Sequence, residues 1–312
     1  MTAELARAVA EHRRLTDAYI DAERALSATL PPRRRRRARA LVLLLAVLLL
    51  PAAVYVGGTV VGTFRVGSTW VRLVPPMPPA NCAASNVSCT TADSGSRLNV
   101  TGSSRIYDGQ GHSVAGITLN ASNSVIQNFR FTNCDSNCIW VKGVNNVIQF
   151  NQAEQVYYNG DDIDCMRFFG DGTKILYNRC DNILVGTDEH GAHIDCMQTW
   201  ASTSTGGGSS NITIEGNYCN STHFHQCVMA EGPQSTDGGG GGPGVSQNWT
   251  IRNNFFQCYA PAQTVKLDDI DSVMVEDNNF AGSGTRAVYI TGLSSGVTLK
   301  NNILGAGYGS LS

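Results

Sequence analysis

The chain has 312 residues, 33 glycines, ten cysteines and a formal net charge of −2. Residues 1–65 hold eleven Lys/Arg against five Asp/Glu (net +6), and residues 66–312 hold twelve against twenty (net −8). The length suits one large β domain plus a leader. The acidic main part, which shows no basic stripe, argues against nucleic-acid binding, and the glycine runs lack a phosphate-cradling spacing.

Residues 1–39 read as a cytoplasmic basic segment, helical until Pro31 and Pro32 stop it. The run 40–63 is almost wholly apolar and long enough as a helix to cross a bilayer. Arg33 to Arg37 and Arg39 precede it. The positive-inside rule then makes it a single-pass signal anchor in the cell membrane, with a cytoplasmic N-terminus and an extracellular C-terminal domain. Residues 64–94 carry Trp70 and Pro75, Pro76, Pro78 and Pro79, which suit a stiff stalk leading into the main domain. All ten cysteines follow the span, which agrees with export to an oxidising compartment. Cys82 and Cys89 are spaced to clip the start of the domain, and pairing elsewhere stays open between inter-coil disulfides and buried thiols.

Residues 95–312 repeat. Ile212-Ile214-Asn217-Cys219 returns as Trp249-Ile251-Asn254-Phe256, Val273-Val275-Asn278-Phe280 and Val297-Leu299-Asn302-Leu304. The alternation predicts strands, and a fixed period predicts stacking in a solenoid. The asparagines suit a turn, where Asn tolerates left-handed backbone and bonds to the same turn in the next coil. A second strand precedes several of these asparagines, with Cys138, Cys165 and Val265 each thirteen residues ahead. The pattern resembles the right-handed parallel β-helix of the pectate-lyase-like superfamily. That resemblance implies an all-β solenoid ectodomain, here behind the one N-terminal transmembrane helix read from the apolar run, and a polysaccharide or cell-wall glycan as partner.

A second repeat points to function. Asp162-Ile163-Asp164-Cys165-Met166 returns as His193-Ile194-Asp195-Cys196-Met197, and Gln226-Cys227-Val228-Met229 follows. If the cysteines face the core, the residues one and three before them face outward. Asp162, Asp164, Asp195 and His193 then form a polar column, joined by Lys266 one step past the cysteine row. Two chemistries fit. In the first, Asp162, Asp164 and Asp195 hold Ca²⁺ through oxygen ligands, and His193 or Lys266 removes a proton from a uronate, giving lyase-type β-elimination. In the second, Asp162 and Asp195 are the carboxylate pair of a glycoside hydrolase. Gly160-Asp161-Asp162 and Glu189-His190-Gly191 are similar to two motifs of polygalacturonase-type hydrolases, whose Arg-Ile-Lys and Asn-Thr-Asp motifs are absent. Gln198, Trp200, Tyr158 and Arg167 are the candidate substrate contacts. Strict alternation would turn Arg167 and Gln198 inward, so either the strand bends after the cysteine or the register is off by one. The alternative to an enzyme is a non-catalytic glycan-binding or adhesive surface β-helix.

Overall fold

The computed structural model describes residues 62–66 and 69–73, and from Ala80 to Ser312 all but 135, 155–156, 159–163, 182–183, 186–192, 203–207, 236–245 and 260–262. The chain divides into two compact units, Met1–Pro76 and Met77–Ser312. In the first, Gly62–Val66 pairs antiparallel with Thr69–Leu73, so part of the segment expected as a stalk is a two-stranded ribbon. The expected cytoplasmic helix, and all of the expected span but its last two residues, lie outside the described residues. Among the described residues, no helix is long and apolar enough to cross a membrane.

The second unit is a parallel β-helix. Its described strands stack into two nine-stranded sheets and one seven-stranded sheet, and every pairing within them is parallel. One coil runs Met166–Phe169, Lys174–Leu176 and Arg179–Asp181, one strand in each sheet, and Asp195–Trp200 opens the next coil. The sheet containing Met166–Phe169 and Asp195–Trp200 is called the site sheet below.

The repeat register seen in the sequence is the register of the fold. Ile214, Ile251, Val275 and Leu299 are successive partners in the second sheet. Cys219, Phe256, Phe280 and Leu304 are successive partners in the third. Alternation places Ile212 and Ile214, Trp249 and Ile251, and Val273 and Val275 in the core. Site-sheet residues Ile139, Val141, Met166, Phe168, Val265 and Leu267 close it from the other side.

The asparagine turns form a continuous ladder. The backbone N–H of Asn151 donates to Asn178 Oδ1 (3.0 Å), Asn178 to Asn217, Asn217 to Asn254 (2.9 Å each), Asn254 to Asn278 and Asn278 to Asn302 (3.0 Å each). Each Nδ2 also donates to a backbone carbonyl, as Asn217 does to Ile175 at 2.8 Å. The left-handed residue is not the ladder asparagine but its predecessor: Phe150, Tyr177, Gly216, Asn253, Asp277 and Asn301 all have positive φ. The strain falls there because the asparagine must hold its side chain parallel to the solenoid axis to meet both neighbouring coils.

All ten cysteines are bonded. Cys82–Cys89 is the expected clip, and Cys134–Cys138 closes a tight loop. Cys165–Cys180, Cys196–Cys219 and Cys227–Cys258 each tie the site sheet to the third sheet. They staple single coils across the core, which corrects the expectation that any bridges would run between coils. Cysteines that stack in register are neighbours along the axis, but each sulfur points into the core toward the opposite sheet of its own coil.

Candidate functional site

The site sheet bends at its cysteine. Cys165 and Met166 are both buried, as are Cys196 and Met197, so two consecutive side chains face the core. In the paired strands Asp195 partners Gln226, and the ladder resumes only at Met197 with Val228. This bend resolves the alternation problem: Arg167 and Gln198 turn away from the core. The same bend changes the alignment of the fourth coil. Val265 partners Val228, not Cys227, so Thr264 stands at the cysteine position. Lys266 therefore belongs with Arg167, Gln198 and Met229 rather than one step past the cysteine row.

The aspartates before the cysteines do not form an exposed column. Asp164 and Asp195 are buried. They continue a second inter-coil ladder: Asp164 N–H donates to Asn137 Oδ1 at 2.8 Å, Asp195 N–H to Asp164 Oδ1 at 2.7 Å, and Gln226 N–H to Asp195 Oδ1 at 2.7 Å. Asp164 Oδ2 accepts from Arg167 Nε. Asp195 Oδ2 lies 3.3 Å from His193 Nδ1, at ion-pair distance but outside hydrogen-bond geometry. Burial pushes the Asp195 carboxyl above the ordinary carboxylate range, against the pull of His193 and of the Gln226 N–H. His193 in turn packs edge-on against His225, with ring centroids 4.5 Å apart.

Asp164 and Asp195, two of the three expected calcium ligands, already have contacts within the protein. The ion takes six to eight oxygens, whereas their oxygens serve backbone N–H groups, a guanidinium and an imidazole. Asp162, the third expected ligand, lies outside the described residues, as do Asp161, Glu189 and His190. Among the described residues, no group of three or more His, Cys, Asp or Glu is placed to hold a metal.

The face of the site sheet turned away from the core has two columns, two residues apart on each strand, and Arg167, Phe169, Gln198, Glu231, Lys266 and Asp268 on it are buried. The first reads Trp140, Arg167, Gln198, Met229, Lys266 and Tyr289 from coil to coil. In the second, Lys142 partners Phe169, and Trp200, Glu231, Asp268 and Thr291 are successive partners. The early coils build an aromatic platform. Phe169 meets Trp200 edge-on at 4.7 Å and Trp140 at 5.1 Å. The Arg167 guanidinium lies over both indoles, 5.1 Å from Trp200 and 5.9 Å from Trp140. Trp140 and Trp200 remain half-buried. Tyr158 lies on a short strand, Tyr157–Tyr158, paired with Leu184–Val185 in a connection that precedes the site sheet.

The later coils carry a carboxylate pair that the sequence reading missed. Glu231 and Asp268 are direct partners on neighbouring strands. Lys266 Nζ donates to Glu231 Oε1 at 2.8 Å and lies 3.9 Å from Asp268 Oδ2. These distances bound the separation of those two oxygens below about 7 Å. Ser235 Oγ donates to Asp268 Oδ2 at 2.7 Å. Asp269 follows with φ +60, and burial raises its carboxyl above the usual range, with nearby Asp268 and Asp271 adding to the shift. Gly292 leaves room for this cluster, because a Cβ there would stand 2.1 Å from Asp268 Oδ1. Lys266, expected as a base, bridges these two carboxylates.

A signal for the pair existed. Phe169, Trp200 and Glu231 each lie four residues after a site-sheet cysteine, and Asp268 lies four after Thr264.

No family model matches the chain, and no curated protein matches it. Among solved structures, the chain is similar to a GH87 alpha-1,3-glucanase catalytic domain in complex with tetrasaccharides. The identity is 10%, the match covers 77% of this chain and 70% of that one, and the TM-score is 0.26. At that level of likeness, the chain's own geometry has to carry the functional reading.

Proposed function

We propose that this chain is an exported, membrane-anchored glycoside hydrolase that cleaves a polysaccharide on the outer face of the site sheet. The observation that carries the proposal is the register-matched pair Glu231 and Asp268, bridged by one ammonium. Aromatic faces such as Trp140 and Trp200 offer the apolar surface on which sugar rings stack. The polysaccharide would lie across the coils, from the aromatic platform to the carboxylates.

In the proposed reaction, Asp268 gives its proton to the glycosidic oxygen as the bond to the anomeric carbon breaks. Glu231, the member that accepts a hydrogen bond from Lys266, serves the other side of the sugar. It either takes a proton from the attacking water or bonds transiently to the anomeric carbon. The net change is one water consumed and one reducing end formed. Export is supported by five disulfides, which suit an oxidising compartment. Anchoring is supported by the Arg block and apolar run near the N-terminus. Right-handed winding is supported by the strong preference of parallel crossover connections for that hand.

The test uses the full chain in detergent micelles on a panel of neutral and acidic polysaccharides. Reducing ends and absorbance of unsaturated products are followed together. Glu231→Gln and Asp268→Asn are each expected to lower turnover at least 100-fold, in line with losses typical of acid–base groups, while the far-ultraviolet spectrum stays unchanged. Full activity in both variants would sink the assignment. The His193–Asp195 pair supports a second reading, elimination with His193 as base. Unsaturated products that vanish in His193→Ala but persist in Glu231→Gln would establish it. Binding without turnover would make the chain a glycan-binding module.

A further inference from the structure

We infer that the ligand of this face is a neutral, hydroxyl-rich glycan, and that carboxylated or sulfated glycans are disfavoured. The inference rests on the site sheet being the glycan-binding face, as proposed above, and concerns which glycan it takes.

Charge is the first argument. Arg167 is engaged by the buried carboxylate of Asp164 and flanked by two indoles. Lys266 is engaged by Glu231 and Asp268. Lys142, one coil before Arg167, is the exposed cation at the margin. Among the described residues, five carboxylates stand against these three cations: Asp164, Asp195, Glu231, Asp268 and Asp269. An anionic sugar group would have to displace an existing carboxylate from Arg167 or Lys266 and leave that carboxylate buried without its partner. Removing one member of a buried pair is the costly case, because the other charge stays desolvated.

Hydrogen-bond polarity is the second argument. Among the described residues, Gln198 Oε1, Gln226 Oε1, Asp195 Oδ2 and Asp269 Oδ1 are buried without a hydrogen-bond partner, Asp195 Oδ2 having His193 Nδ1 beside it at 3.3 Å but outside hydrogen-bond geometry. The residues carrying them are all at least nine-tenths buried. Gln198 stands in the outward column between Arg167 and Met229, and Asp269 adjoins the proposed acid. All four atoms are acceptors. Their complement is a donor, and sugar hydroxyls donate. A carboxylate or sulfate offers only acceptors and would leave these atoms unsatisfied in a dry site, which is how a polar site rejects the wrong analogue.

The test compares two polymers with one backbone, a neutral soluble glucan and the same glucan oxidised at C6 to carboxylates. Binding to the full-length, unaltered chain is measured by calorimetry in 20 mM and 500 mM salt (chosen conditions, with Debye lengths of roughly 20 Å and 4 Å), alongside reducing-end release. The neutral polymer is expected to bind at least tenfold more tightly, and part of that preference is expected to survive high salt because the acceptor mismatch is not screened. Gln198→Lys, which adds a cation and removes an orphan acceptor, is expected to narrow the gap. Equal or tighter binding of the oxidised polymer, together with its cleavage, would overturn the inference and leave the hydrolase reading standing. Tighter neutral binding without cleavage would uphold the inference and remove the hydrolase reading. Failure to bind either polymer would overturn both.

Discussion

Asp195 serves two demands that conflict. Its Oδ1 satisfies the Gln226 N–H across the coil interface, and its Oδ2 faces His193. The first needs only an acceptor, while the second favours a negative charge. Because burial raises its folded-state pKa above the ordinary aspartate value, the folded protein holds the proton more tightly than the unfolded chain does. The stabilisation this provides is complete below the unfolded value and is lost as pH rises through the folded value. Ionised Asp195 is therefore a net cost near neutrality. Asp195→Asn keeps the acceptor and removes the charge. Its urea midpoint at pH 7 is expected to match or exceed that of the parent, with a smaller fall between pH 4 and 7. Asp195→Ala strands the Gln226 N–H and is expected to lose about 1–3 kcal/mol. An Asn variant as unstable as the Ala variant at pH 7 would show that the charge, not the acceptor, holds the coils together.

At the scale of the element, the asparagine ladder decides how coils are joined. Asn217 is fully buried, accepts from Asn178 and donates to Ile175 and Asn254. Asn302 takes the same role at one end of the row but is only partly buried. Asn217→Ala leaves several buried groups unpaired and is expected to cost about 3 kcal/mol or more, whereas Asn302→Ala should cost about 1 kcal/mol, since water can reach the groups it frees. Equal denaturation midpoints for the two variants would contradict this account. The ladder was legible in the sequence because its spacing is enforced by the turn, coil after coil. The left-handed residue before it was not, because Phe150 and Tyr177 occupy a conformation that composition assigns to Asn or Gly. The site sheet was legible in outline but slipped at the cysteine. There two adjacent side chains face the core, and alternation cannot register a bend that inserts one residue. That slip set Val265 at the cysteine position and hid the pairing of Asp268 with Glu231. The repeated phrase around Asp164 and Asp195 drew attention to groups that mainly build the interface between coils. The acidic pair sits just past that phrase, four residues after the cysteine position.

Over the whole molecule, stability is the sum of coils and the contacts between them, as in any solenoid. The disulfides act within coils. Cys165–Cys180, Cys196–Cys219 and Cys227–Cys258 close segments of 15, 23 and 31 residues. Loop-closure entropy rises only slowly with length, so the three should contribute nearly equally, about 3–4 kcal/mol each. Their accessibility, by contrast, differs sharply from that of the clip. The six sulfur-bearing residues of these bridges are buried, while Cys82 is exposed and Cys89 half-buried. A thiolate reductant can attack the clip in the folded state, but it reaches the core bridges only when a coil opens. Brief treatment with a mild reductant followed by alkylation and mass mapping is therefore expected to label Cys82 and Cys89 first. The core cysteines should follow at a rate that increases with urea. If the core bridges were reduced as fast as the clip without denaturant, the coils would have to open individually at little cost. In that case the outer face of the site sheet would not hold Glu231, Lys266 and Asp268 in the fixed register that the proposed chemistry requires.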